Sequence, residues 1–159
     1  MKMITVFIMA CFLAGCSSLP NLGGFNIKFL NLPCIVPFMK GNYLTCNTIN
    51  ITINNKNIVI PQNFKTDGIS SPNVLSSVFP HIDPETLETA ILHDYLYESC
   101  EYSRKEADRI FYTALLQKNV SHIKAKLMYL GVRHFGDKYY GKNGCRNKFE
   151  NDYKNAEKT

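Results

Sequence analysis

The sequence predicts an α+β domain, with an N-terminal β-hairpin region followed by a bundle of about three α-helices. Three observations predict it. Ile49, Ile51 and Ile53 alternate with Asn50 and Thr52, the period of a half-buried strand. Apolar residues recur at helical spacing after Asp83-Pro84-Glu85 and again after Ser103-Arg104-Lys105-Glu106. The 159 residues, 45% hydrophobic and 19% charged, suit one domain and exclude a disordered or collagen-like chain.

The strand region covers residues 43–60. Asn54-Asn55-Lys56-Asn57 is the expected turn, Ile58-Val59-Ile60 the return strand, and Pro61 closes it. The first helix is expected over 83–99, with Asp83 as N-cap and Pro84 at the first helical position. Leu87, Ala90, Ile91 and Tyr95 follow at helical spacing. The second is expected over 103–119, opened by the Ser103/Glu106 capping box, with Ala107, Ile110, Phe111, Ala114 and Leu115 as its apolar face. The third starts at Ser121 and ends before Gly136, with Ile123, Leu127, Leu130 and Phe135 inward. Residues 137–159 are a polar tail pinned by Cys145.

The N-terminus sets the compartment. Lys2 precedes an apolar run over 3–13 that is too short to span a bilayer as a helix. The run ends in Leu13-Ala14-Gly15-Cys16, which resembles the lipobox of bacterial lipoprotein precursors. The resemblance implies a signal peptide over 1–15, cleavage before Cys16 and acylation of that cysteine. Residues 16–33, with Pro20, Gly23, Gly24 and Pro33, are then a lipidated tether, and 34–136 the globular domain. Several acyl chains hold a protein to a membrane where one does not. Ser17, not Asp, follows the cysteine, so outer-membrane sorting, facing the periplasm, is the expected localisation. In that oxidising compartment Cys34, Cys46, Cys100 and Cys145 form two disulfides in one of three pairings. A metal reading of these cysteines lacks a CxxC spacing or a nearby histidine.

The formal charge is +5, from 18 basic and 13 acidic residues. That excess does not establish a nucleic-acid partner, and none is expected. Lys124, Lys126, Arg133, Lys138 and Lys142 form a basic stretch, read first as a solvated helix face and second as attraction to anionic headgroups. His81, His122 and His134 are read as structural or solvated.

The chemistry concentrates in residues 66–111. Tyr97 lies four residues after His93, on the same helical face. The two helices are joined by a few residues and pack antiparallel, which can bring Asp108 opposite His93. A carboxylate against an imidazole holds its tautomer and stabilises its protonated form, as a general base requires. Asp94 projects about 100° away, towards the loop at Asp67-Gly68. Two carboxylates with backbone carbonyls make a hard oxygen site suited to calcium. The alternatives are plainer. Asp67 caps a turn, Asp108 is a surface charge beside Arg104 or Tyr112, or the polar groups form a buried network that only stabilises the fold.

His93-Asp94-x-x-Tyr97 on one helix, with Asp108 on the next, resembles the secreted phospholipase A2 superfamily, its prokaryotic and parvoviral members most closely. Asp67-Gly68-Ile69-Ser70 and Ala107-Asp108-Arg109-Ile110-Phe111 carry that likeness further. It implies His93 as the base that activates water, Asp108 and Tyr97 as its supporting pair, and Asp67, Gly68 and Asp94 as calcium ligands. The substrate implied is a phospholipid. This chain lacks the glycine-rich calcium loop of the animal enzymes, and Leu96 stands where a cysteine usually follows the histidine motif. A second resemblance spans residues 58–136. Thr66-Asp67-x-x-Ser70-x-Pro72, His93-Asp94-Tyr95-Leu96-Tyr97, Ala107-Asp108-x-x-Phe111 and Val132-Arg133-x-Phe135-Gly136 look like an uncharacterised family of tailed phages and bacteria. It implies the alternative, a non-catalytic envelope lipoprotein of phage or prophage type that acts by binding.

Overall fold

The computed structural model describes residues 24–39, 41–68, 84–142 and 145. The fold class is the expected one. Among the described residues six strands form two antiparallel sheets, and three helices follow. Sheet A has the order β1-β4-β5, from β1 (Ile27–Phe29), β4 (Ile49–Ile53) and β5 (Lys56–Ile60). Sheet B has the order β2-β3-β6, from β2 (Ile35–Met39), β3 (Asn42–Thr45) and β6 (Lys65–Thr66).

The isoleucine alternation does what its period dictates. Ile49 pairs with Ile60 and Ile51 with Ile58, and all four side chains are buried on one face of sheet A. The turn is tighter than expected. Only Asn54 and Asn55 form it, with φ of 48° and 66°, and Lys56 already pairs with Ile53. Two left-handed residues give the turn a twist that matches the strands, and asparagine tolerates that backbone. Asn54 also ties down the residues that lead into β1, since the backbone N–H of Asn26 donates to its Oδ1 at 2.8 Å.

Three strands carry no strong local pattern and escape the sequence reading. β1 lies inside the span expected as tether, yet Ile27 pairs with Ile53 and is buried. The folded region therefore begins before residue 34. β2 is an edge strand with a register shift between Pro37 and Met39, a position that proline tolerates. Disulfides join Cys34 to Cys46 and Cys100 to Cys145, selecting one of the three pairings.

Helix α1 (Leu87–Ser99) is the central element. It is buried around most of its circumference, so it shows little amphipathic contrast. Its start lies later than expected, after a turn at 84–86, and the expected cap Asp83 lies outside the described residues. One side of the core joins sheet A to Ile91, Leu92 and Leu96 of α1 and to Ala107 and Ile110 of α2 (Arg104–Gln117). The other side joins Phe111 and Leu115 of α2 to Ala125 and Met128 of α3 (His122–Phe135). Among the described residues no helix is long and apolar enough to cross a membrane.

The Ser103/Glu106 capping box is complete in both directions. Ser103→Ala is expected to cost about 1 kcal/mol in a urea titration. An unchanged midpoint contradicts it.

Helix α3 runs between the expected limits, Ser121 and Gly136, but presents a different face. Ile123 is 77% and Phe135 57% exposed, so neither points inward. Ala125 and Met128 do. The helix carries two apolar stripes, and the one with the small Ala125 lets α3 approach Phe111 and Tyr112 of α2 closely. The beginning of the expected tail is also packed. The N–H of Gly141 donates to the Tyr97 carbonyl at 3.0 Å, and the Tyr140 hydroxyl donates to the Tyr102 carbonyl at 2.8 Å.

Candidate functional site

Helices α1 and α2 pack antiparallel across a short connection, which brings together residues 15 apart in sequence. His93 Nε2 donates to Asp108 Oδ1 at 2.9 Å. The Tyr97 hydroxyl donates to the same oxygen at 2.6 Å. Asp108 is fully buried and His93 nearly so, at 6% exposure, which excludes the surface-charge reading of Asp108. The imidazole lies between two rings, with centroid distances of 4.1 Å to Tyr97 and 4.7 Å to Phe111. Packing and the Asp108 bond together fix its orientation and place the proton on Nε2. In the neutral form of the ring, Nδ1 is then the nitrogen that carries the lone pair.

The other carboxylate oxygen has a partner that the sequence reading did not find. Arg133 of α3 donates through Nη1 to Asp108 Oδ2 at 2.6 Å. Burial works against the charge on Asp108. The bonds from His93, Tyr97 and Arg133 outweigh it and hold this carboxyl below its ordinary range. Tyr97 is pushed upward, first by burial and then by Asp108, so it remains a protonated donor.

Two further residues fix the end of α3 beside this cluster. Arg104, at the start of α2, donates to the carbonyls of Val132 at 3.3 Å and Arg133 at 2.5 Å. These belong to the last turn of α3, where the Val132 carbonyl also accepts the Gly136 N–H at 2.9 Å. Gly136 then lets the chain end pass against Tyr97. A Cβ there would meet the Tyr97 hydroxyl at 2.5 Å and the Val132 carbonyl at 2.4 Å. In the sequence Arg133 stands among five basic residues and in the Val132-Arg133-x-Phe135-Gly136 stretch, and neither points to Asp108. Its distance of 25 positions from Asp108 carries no local signal.

The second group lies where α1 meets β6. The Thr66 hydroxyl donates to Asp94 Oδ2 at 2.5 Å, and the Gly68 N–H donates to Thr66 Oγ1 at 3.0 Å. Burial raises the Asp94 carboxyl well above its ordinary range, and the negative charge of nearby Asp67 raises it further. Asp67 also donates a backbone hydrogen bond to Asp94, so the two expected calcium ligands are neighbours. Among the described residues no group of three or more His, Cys, Asp or Glu side chains is disposed to hold a metal.

The remaining expectations divide. Cys16 and its lipobox, Ser70, Pro72 and His81 lie outside the described residues. His122 and His134 are exposed. The basic stretch is not uniformly solvated, since Lys124 pairs with Glu85 at 2.5 Å and Arg133 with Asp108.

The fold and these contacts define a class: an α+β domain that buries a histidine–carboxylate pair between two antiparallel helices. Residues 44–132, more than half of the chain, match the family described as "Protein of unknown function (DUF1353)", and the chain belongs to that family. The match includes His93, Tyr97 and Asp108, and ends one residue short of Arg133. No curated protein and no solved structure matches the chain.

Proposed function

We propose that this protein is a membrane-anchored lipoprotein with a phospholipase A2-like esterase centre. The observation that carries the reading is the buried His93–Asp108 bond, supported by Tyr97 and Arg133. With Nε2–H committed to Asp108, Nδ1 accepts a proton from a water molecule as that water attacks the ester carbonyl. The imidazolium that forms faces an ionised carboxylate. When the tetrahedral intermediate collapses, Nδ1 returns the proton to the leaving alcohol. Arg133 and Tyr97 keep Asp108 charged and oriented through the cycle.

Calcium is part of the proposal. Asp94 and Asp67 set two carboxylates side by side, and Asp94 bears a like-charge penalty that a divalent cation relieves. Such oxygen donors fit a hard ion that completes its shell with backbone carbonyls and water. Asp67, the Gly68 backbone and Asp94 would hold it. When bound, it supplies polarisation of the ester carbonyl and stabilisation of the oxyanion. The anchor in this reading is acylated Cys16, placing the domain on the periplasmic side of an outer membrane, with membrane lipid as partner and phospholipid as substrate.

One observation favours the second reading, an envelope lipoprotein acting by binding. Asp108 is wholly buried with both oxygens engaged, as in a purely structural clamp. Hydrolysis of a labelled phospholipid separates the two. The purified chain is expected to release fatty acid with calcium and not with chelator. His93→Ala is expected to be slower by about a hundredfold or more while keeping the wild-type circular dichroism. Calcium-independent or absent turnover, or an unchanged rate in His93→Ala, overturns the esterase and leaves the binding protein.

A further inference from the structure

The site leaves one conspicuous surface unused. Leu30, Leu32, Val36, Phe38 and Met39 are between 44% and 75% exposed, all within residues 30–39. A concentration of large apolar side chains in water marks an interaction surface. These residues are not exposed through looseness. The Cys34–Cys46 disulfide staples the segment. Asn47 accepts the Cys34 N–H at 2.9 Å and donates to the Leu32 carbonyl at 2.9 Å. Asn31 donates to the Thr48 carbonyl and accepts the Asn50 N–H, each at 2.8 Å. This frame holds Val36, Phe38 and Met39 on β2, the edge of sheet B, and Leu30 and Leu32 in the segment that leads into it.

Two facts identify what covers them. The first is charge. The chain has no acidic residue before Asp67, while Lys28, Lys40, Lys56 and Lys65 all precede it. Of these, Lys56 is engaged by Glu101 at 2.9 Å, and Lys28 and Lys65 are exposed. An apolar surface in a region without acids suits an anionic bilayer. The second is reach. Gly24, the first described residue, stands eight positions after Cys16, so even a fully extended connection spans at most about 29 Å. An acyl chain on Cys16 therefore keeps this surface close to the membrane.

We infer that residues 30–39 form a membrane-contacting surface that seats sheet B on an anionic lipid bilayer. The inference rests on the proposed anchoring at Cys16 but not on the esterase reading. It adds a second, non-covalent contact that sets the orientation of the domain.

The chain has no tryptophan, so one introduced tryptophan reports its own surroundings. Full-length chains carrying Phe38→Trp or Ile123→Trp are expressed with their leader in a bacterial host. They are reconstituted into vesicles of phosphatidylethanolamine and phosphatidylglycerol, with and without brominated acyl chains. Ile123 serves as the reference because it lies on α3, a different element, and is more exposed to solvent than Phe38, at 77% against 49%. Intact mass reads the acylation of Cys16. The expected result is an acylated chain whose Phe38→Trp emission shifts to the blue and is quenched several-fold more than that of Ile123→Trp. Adding Leu32→Ser and Met39→Ser is expected to reduce the quenching. An acylated chain with Phe38→Trp unquenched overturns the surface while keeping the anchor. Stronger quenching at Ile123→Trp assigns the contact to another face and also overturns it. A blue shift without vesicles, accompanied by dimers in sedimentation, shows that a second copy covers the surface instead. A chain without acyl mass removes the anchor and, with it, the inference.

Discussion

Asp108→Ala is expected to lower the unfolding free energy by about 3–5 kcal/mol, measured by urea denaturation. The carboxylate is fully buried and is the common partner of His93, Tyr97 and Arg133. Its removal leaves three donors facing a gap. The Arg133 guanidinium, 30% exposed, then loses its partner without gaining full hydration. Asp108→Asn keeps an acceptor for His93 and Tyr97 but gives up the charge, so a smaller loss is expected. If Asp108→Ala fails to fold, Asp108→Asn still carries the test. A loss below about 1 kcal/mol in both, the size of one ordinary hydrogen bond, contradicts the central role of this carboxylate.

The same group gives a pH signature with a definite sign. Its folded pKa lies below the ordinary 3.8, so at low pH the unfolded chain binds the proton first. The stabilisation is complete above the ordinary value and fades as pH falls through the lower, folded value. The stability difference between wild type and Asp108→Asn is therefore expected to shrink as pH falls below the ordinary carboxylate value of 3.8. A difference that does not shrink over that acid range contradicts the assignment.

The second large effect is expected at the Cys100–Cys145 disulfide. It closes a separation of 45 residues, for which loop entropy corresponds to about 4 kcal/mol. The Cys34–Cys46 bridge, with a separation of 12, corresponds to about 3 kcal/mol. The longer bridge also holds the chain after α3 against the end of α1, where Gly141 bonds the Tyr97 carbonyl. Replacing Cys100 and Cys145 by serine is expected to cost more in urea than replacing Cys34 and Cys46. The difference should vanish for both proteins under reducing conditions. Equal costs, or a larger one for the shorter loop, contradict the loop argument.

The candidate site was partly legible because part of it is local. His93 and Tyr97 share a face by helical spacing, and the short α1–α2 connection brings Asp108 within range. The Arg133 bond is not local. The basic residues of α3 look alike in sequence, and only the rotation of that helix about its axis sends one of them inward. That rotation is decided by two competing apolar stripes. Of the residues expected inward, Leu127 packs against the core around Phe111 and Tyr112 while Ile123 and Phe135 are exposed, and Ala125 and Met128 are the buried residues of this face. A small residue permits close approach, and close approach is a property of two surfaces together.

By itself the sequence determined the α+β class, the isoleucine face of sheet A, the Ser103 capping box and the limits of α3. Each depends on side-chain period or on hydrogen bonds within one turn, so a few consecutive residues suffice. Only the tertiary structure decided the disulfide pairing, the strand status of Ile27–Phe29 and Ile35–Met39, and the meeting of Arg133 with Asp108. Those features join segments far apart in the chain. Their energies come from surfaces that exist only after the elements have docked.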